Sequence, residues 1–505
     1  MAKRKLVLKI SLIIILIPLL LTGGYTLYSF GSNYFVHADL EPLPVIRKEE
    51  KILLFAPHND DEILGAGGLL QDHIAAGGQV KVVLLTNGDG NTFSARNNKK
   101  EPRLDPQKFI NLGYIRQQET IAAMKALGLA KDEIIFLGYP DRGINKLWEN
   151  YWQCELPYLD PYTQSSHSPY INSFRQDTAY CGENLALDIQ NIIAGYQPDW
   201  IIMPHPNDYH PDHRAAFCFV KYALAVLDYQ PQRQLLYLVH QGNWPLALLA
   251  RAGQYTTPPA HLLASGTKWY SYELDEETQD DKKAAINQYK SQLKLFAFYL
   301  RSYARDNELL GEIPDLEIKY GQMKDDDIVP CKDNSLDLLP FTNKWWQKPR
   351  LPRGIYGEIS NQGNLNIFLF PRTELALMPE HRINIILINA GERDRVTIRI
   401  RGRSIQSDNP AFIDYGGRSN YHTILDLFEE DGFQSSLAKR VSHLIIPGDS
   451  LKKYRYMFIN TETRAPNQAR HRSAWQMIKL KRSSTASIQD SVFRSSELAS
   501  DFASY

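Results

Sequence analysis

The sequence predicts an α/β fold with a doubly wound, mostly parallel sheet, followed by a C-terminal antiparallel β-sandwich and preceded by a transmembrane helix. Three observations predict it. Short β-rich apolar runs alternate with helical stretches from about residue 50 to about residue 240, the rhythm of a parallel sheet covered on both faces. From about residue 350 the texture changes to short alternating runs separated by Gly, Asn and Asp, the pattern of an antiparallel sandwich. A chargeless apolar run sits near the amino terminus.

That run extends over 21 residues, Ile10 to Phe30, after Lys3, Arg4, Lys5 and Lys9. About 20 apolar residues suffice to span a bilayer, and basic residues before the run place the amino terminus in the cytoplasm. The expectation is a membrane anchor over 1–30 with the catalytic part extracytoplasmic, periplasmic or at the cell surface. The competing reading is a cleaved signal peptide and a secreted protein. Residues 31–48, with DLEPLPVIRK at their end, read as a linker.

The apolar runs that follow are Lys51–Pro57, Val80–Thr86, Glu133–Leu137, Trp200–Pro204 and Leu235–His240. Helical spacing occupies Ile63–Ala76, Ile115–Leu127, Glu183–Ala194, Arg214–Leu227 and the stretch 282–304. Together they make a Rossmann-like domain over 49–325. Residues 143–180 break the rhythm with Trp148, Tyr151, Trp152, Tyr158, Tyr162, Tyr170 and Tyr180 among prolines and serines. So long an irregular insertion is usually a functional loop or lid, here an aromatic wall with flat apolar faces and polar tips. Packing against the β-domain is the other reading. Cys154 and Cys181 lie at its edges and are either a disulfide or two thiols. A linker over 326–349, a sandwich over 350–482 and a serine-rich disordered tail over 483–505 complete the partition.

Composition narrows the function. Lys plus Arg, 57, equals Asp plus Glu, 57, so no basic surplus points to nucleic acid as a partner. Four cysteines with no CxxC pair exclude a disulfide scaffold and a zinc ribbon. The first strand run ends in Pro57-His58-Asn59-Asp60-Asp61-Glu62, and the fourth in a segment holding His205, Asp208, His210, Asp212 and His213. Asp89 and Asn91 follow the second, and Asp141 the third. Ligands of open α/β sheets bind outside the carboxyl ends of the strands, so four strand ends deliver metal-type ligands to one rim. Gly65, Gly67 and Gly68 do not form GxGxxG and follow acids that would repel a pyrophosphate. No nucleotide cofactor is expected.

The motifs His58-Asn59-Asp60-Asp61-Glu62 after Pro57 and His210-Pro211-Asp212-His213 resemble those of the PIG-L or LmbE-like deacetylases, named after N-acetylglucosaminyl-phosphatidylinositol de-N-acetylase. Arg116-Gln117-Gln118-Glu119, Phe136 to Asp141, and Lys283 through Leu309 add to the resemblance, which covers about residues 50–312. Asn59 departs from the family, which has proline there. The resemblance implies one divalent metal, zinc in the family, held by His58, Asp61 and His213 with an open position for water. It implies Asp60 as general base and His210 as oxyanion donor or acid, with Asp212 orienting the His210 ring. Arg116 and Asp141, with Asp208 beside them, are the expected substrate contacts. The expected function is removal of N-acetyl groups from N-acetylhexosamine units of an envelope glycan, oligosaccharide or glycolipid. A catalytically idle glycan-binding protein and an amidase or esterase for a non-sugar acyl group are the alternatives.

Overall fold

The structure is a computed structural model. It describes residues 36–37, 39–95, 105–242, 244–245, 255–259, 262–263, 266–318, 328–330, 354–359, 365–370, 380–389, 392–401, 404–408, 442–451, 453–464 and 471–480. They form two compact units, one through Pro314 and one from Asp315 onward.

The first unit is built on strands β1 (Glu41–Pro42), β2 (Lys51–Ala56), β3 (Gln79–Thr86), β4 (Ile134–Tyr139), β5 (Trp200–Pro204), β6 (Arg233–Tyr237), β7 (Lys268–Glu273) and β8 (Asn307–Glu312). Its helices are α1 (Asp61–Ala75), α2 (Thr92–Ala95), α3 (Pro106–Ala126), α4 (Ile144–Glu149), α5 (Gly182–Tyr196), α6 (Pro211–Leu227), α7 (Glu276–Ile286) and α8 (Lys290–Arg301). The sheet order is β1-β7-β8-β6-β5-β2-β3-β4. From β6 to β4 every pairing is parallel, and β8 pairs antiparallel with both β6 and β7. The chain moves from β2 outward through β3 and β4, then returns to lay β5 on the other side of β2. That reversal between β2 and β5 is the topological switch point, where a crevice opens at the strand ends.

Continuous apolar runs suit strands buried on both faces. Ile52, Leu54 and Ala56 of β2 pack with Val82 and Leu84 of β3, Ile202 of β5, and Ile63, Leu64 and Ala66 of α1 in one core. Gly65 is required by close approach, since a Cβ there would stand 2.6 Å from the Tyr237 ring on β6. Helix α1 is kinked at Ala66. The freed amides of Gly68 and Leu69 donate to the Glu308 carboxylate, at 2.7 and 2.9 Å, and Lys282 pairs with Glu308. The stretch 282–304 is two helices rather than one, α7 and α8, parted at Asn287–Tyr289.

The insertion after β4 is ordered and packs as structure. Trp152 stacks on Phe219 of α6, and Trp148 of α4 meets Phe219 and Tyr222 edge to face. Trp148, Tyr170 and Tyr180 are each about 1% exposed. Cys154 and Cys181 are joined in a disulfide across 27 residues of chain.

The second unit contains β9 (Leu316–Ile318), β10 (Ile328–Pro330), β11 (Gly354–Ile359), β12 (Leu365–Phe370), β13 (Glu380–Asn389), β14 (Glu392–Arg401), β15 (Ser404–Ser407), β16 (Ser442–Ile446), β17 (Tyr456–Arg464), β18 (His471–Arg472) and β19 (Gln476–Leu480). One sheet runs β10-β11-β12-β16 and the other β15-β14-β13-β17-β19-β9, with β18 on β17. All pairs are antiparallel except β19 with β9. Leu365 and Ile446 of the smaller sheet share a core with Ile383, Ile385, Val396, Ile398 and Ile459 of the larger. The unit is a sandwich, and it takes β9 and β10 from chain expected to belong to the first domain and the linker.

The expected transmembrane helix is corrected. Residues 10–30 lie outside the described residues, and no described helix is long and apolar enough to cross a membrane. The membrane as partner, and the anchored extracytoplasmic or secreted location inferred from it, rested on that apolar run and the basic residues before it and are not carried further. The tail over 483–505 also lies outside the described residues.

Candidate metal centre

Strand β2 hands the chain to α1 through four residues, Pro57 to Asp60, and the turn brings His58 against Asp61 at the start of the helix. The Asp61 carboxylate accepts the His58 backbone amide at 2.9 Å, and the same oxygen lies 3.1 Å from His58 Nδ1. From across the switch point, α6 delivers His213, whose Nε2 stands 3.0 Å from that oxygen. Two imidazole nitrogens and one carboxylate oxygen thus converge on one point at the spacing of neighbouring ligands on a single ion.

Each imidazole is backed by an acid on its far side. His58 Nε2 faces Asp141 at 3.2 Å and Asp212 at 3.4 Å, while His213 Nδ1 faces Asp208 at 3.1 Å. Carboxylates behind histidine ligands fix the tautomer and ring direction. The fit to a cation can be tested on His213, which is fully buried. Its Nε2 meets Asp61 at contact distance without hydrogen-bond geometry. A shared proton would align that pair; a shared ion need not. Ligand atoms of His58, His210 and His213 lie within 4.8 Å of one another, as do those of Asp61, His213 and His240, and of His58, Asp141 and Asp212. The residues fit one divalent ion of the zinc type, which N and O donors in this mixture suit.

Charge follows the same logic. Burial alone would depress His213, but the carboxylates of Asp208 and Asp61 outweigh it and lift the imidazole to about 9. Burial would raise Asp61, yet His213 and His58 hold it well below the ordinary carboxylate range. Asp60 is pushed up to about 7 by burial, with the Arg116 guanidinium pulling the other way from 3.4 Å. Burial and the surrounding His58, His240 and His213 push His210 well below its ordinary value.

Asp60 precedes α1 with φ 115°, a left-handed backbone for a residue with a side chain. Such a conformation costs about 1–3 kcal/mol and persists only where its surroundings enforce it. Arg116, from α3, is buried and reaches the carbonyls of Asn59 and Gly88. Gly88 (φ 61°) makes room, since a Cβ there would stand 2.1 Å from Arg116 Nη1. Arg116 therefore holds backbone and pairs with Asp60, while still lining the cavity.

Three expectations change. Asp212 orients His210 through its backbone amide, which donates to His210 Nδ1 at 3.2 Å, while its carboxylate faces His58. Asp208 is not a substrate contact: it is fully buried and accepts the amides of Val239, His240 and His210. Asp141 keeps a place on the cavity wall, but its carboxylate is spent on His58 and the Gly90 amide. A cavity of about 650 Å³ opens over the centre, lined by His58, Asp60, Asp61, Arg116, Asp141 and His210 together with Asn91, Gln292, Phe296 and Leu300. No described residue of the 143–180 insertion lines it. The sequence reading missed His240, although it ends the run Leu235–His240 and the strand-end rule applied to it. It also missed Arg142 and Gln292, whose place on the wall comes from tertiary packing.

The family model for GlcNAc-PI de-N-acetylase (PIG-L) matches residues 53–224. Among solved structures, the N,N'-diacetylchitobiose deacetylase of Pyrococcus horikoshii is similar at 21% identity, over 52% of this chain and 82% of that one, with a TM-score of 0.32. The conserved protein TT1542 of Thermus thermophilus is similar at 21% identity, over 49% and 81%, with a TM-score of 0.30. The 4-carboxy-2-hydroxymuconate hydratase GalB of Pseudomonas putida is similar at 14%, over 54% and 99%, with a TM-score of 0.30. Scores this low do not bear on substrate. No curated protein sequence matches. The matched span 53–224 begins within β2, ends within α6 and carries both motifs that meet at the centre, so this part of the chain is similar to the PIG-L/LmbE-like deacetylases and holds a candidate site for a divalent metal.

Proposed function

We propose that the chain removes acetyl groups from N-acetylhexosamine units of a glycan, oligosaccharide or glycolipid. The observation that carries this reading is the opening of Asp60 and His210 on the same cavity as His58 and Asp61. A base and a donor with their reactive atoms toward one ion site form the minimum set for amide hydrolysis. An idle binding protein has no use for a carboxylate held at a strained φ. When bound, the divalent ion polarises the amide carbonyl and makes water acidic enough to attack near neutral pH.

The protein's own groups supply the proton traffic. Asp60 accepts the proton of the attacking water, whose oxygen bonds to the acyl carbon. His210 Nδ1 accepts the Asp212 amide, so in the neutral ring the proton sits on Nε2. That N–H donates to the oxyanion that forms on the acyl oxygen. A neutral imidazole of depressed pKa is a hydrogen-bond donor rather than a proton source. The proton for the departing nitrogen therefore comes back from Asp60 as the C–N bond breaks, leaving a free amine and acetate. Asn91 and Gln292, bonded to each other at 2.9 Å, offer amide groups to sugar hydroxyls at the cavity wall.

The test is acetate release by the zinc-loaded protein from N-acetylglucosamine, its β-1,4 oligomers and an N-acetylated amino compound without a sugar. Release from the sugars and not from the last is expected. Release from the sugar-free amide alone would replace this reading with the general amidase.

A further inference from the structure

We infer that Tyr289, with Glu62, Thr120 and Arg116, is a positioning device for Asp60, holding the backbone and the carboxylate of the base through one ring of buried polar contacts. The inference rests on the assignment of Asp60 as base. The ring can be followed atom by atom. Asn59 Nδ2 donates to Thr120 Oγ1 at 2.9 Å. The Thr120 side chain in turn neighbours the Tyr289 phenol. Tyr289 donates to one oxygen of Glu62, and the other oxygen accepts the Asp60 backbone amide at 3.0 Å. Arg116 Nη2 closes the circuit, touching the Asn59 carbonyl and, at 3.4 Å, the Asp60 carboxylate.

Asn59, Glu62, Thr120 and Tyr289 are fully buried and Arg116 nearly so, so water cannot replace a missing member. Asp60 is the member held at φ 115°. The ring therefore supplies the enforcement that this backbone needs. Tyr289 comes from the junction between α7 and α8, more than 220 residues away in sequence, which links the far end of the domain to the reacting group. It also gives a physical reason for Asn59: its amide starts the ring, which a proline could not do.

The test compares Tyr289→Phe, Thr120→Val and Thr120→Ser in the zinc-loaded protein. Tyr289→Phe and Thr120→Val are expected to lower kcat about tenfold or more while KM stays within about twofold and one metal per chain is retained. Thr120→Ser keeps the hydroxyl and should stay within about twofold of the parent. Crystal structures give a readout independent of substrate: in Tyr289→Phe the Asp60 φ should leave the left-handed region or its carboxylate should part from Arg116. An unmoved Asp60 in that variant overturns the inference, as does an equal loss in Thr120→Ser and Thr120→Val. An Asp60 that moves in a protein releasing no acetate from any sugar would leave the ring standing and refute the proposed substrate instead.

Discussion

Two segments leave carboxyl ends of the same sheet and meet opposite fates. The six residues after β2 hold nearly every polar atom in the service of one point, with His58, Asp60 and Asp61 open to the cavity. The insertion after β4 begins beside Asp141, yet Trp148, Tyr170 and Tyr180 turn inward and none of its described residues lines the cavity. Proximity to a strand end is thus not enough to make a segment part of a site. What differs is the partner each finds: carboxylates and imidazoles facing across the switch point in one case, the apolar side of α6 in the other.

The comparison can be broken or sharpened by substitution. The largest effect is expected for His213→Ala, which should lose bound metal and reduce acetate release to background; metal analysis showing one ion per chain retained would dissolve the ligand set. Next comes Trp148→Ala. Truncating so large a buried ring should cost about 3–5 kcal/mol of stability in denaturant unfolding, with KM unchanged for the molecules still folded. A specific rise in KM would bring the insertion back to the substrate. Asp60→Asn should keep the metal and lower turnover by about a hundredfold; a parent-like rate would assign the water's proton to another group.

A smaller, graded effect follows from His213 at about 9. Its proton must leave before an ion can bind, so zinc affinity should strengthen about tenfold or more per pH unit below 9, measured by competition with a chelator. For the ion-free protein the sign is opposite. A folded value raised from 6.5 to about 9 gives stability that is complete below 6.5 and lost as pH rises through 9. Calorimetric unfolding with and without zinc across that window separates the two.

Much of the centre was legible because its residue types are wrong for where they sit. His58 and three acids directly after KILLFA cannot be core, and Pro211-Asp212-His213 opens a helix in a way only a polar rim explains. The strands read well because β2, β3 and β5 are apolar throughout. Helix α3 read poorly at its start, although Asp105 caps it by accepting the Gln107 amide and Phe109 and Leu112 are already buried, whereas Ile115, where the helix was read to begin, is exposed. The strands β7 and β8 went unread, being short, mixed in polarity and stabilised by pairing with each other. The aromatic insertion shows where composition stops: Trp and Tyr serve equally as a sugar platform and as a plug. Only the position of Phe219 and Tyr222 on α6 decides between them. Asp208 and Asp212 were recognised as members of the centre, but a carboxylate that touches substrate and one that holds a histidine from behind carry the same letter.

The sheet order has a consequence for how the chain acquires its shape. His58 and Asp61 follow the second strand in sequence, whereas His213 arrives only after some 150 more residues and lands next to them because β5 pairs with β2. The candidate ion-binding point therefore exists only where the two halves of the sheet have paired through β2 and β5. Chains in which β2, β3 and β4 have formed without β5 hold two of the three donors and gain little from zinc. Once β5 is in place, the ion ties together segments separated by a long loop, whose closure entropy grows only slowly with length. An ion bound there would stabilise the folded sheet by mass action, since it binds a point that only the paired β2 and β5 create.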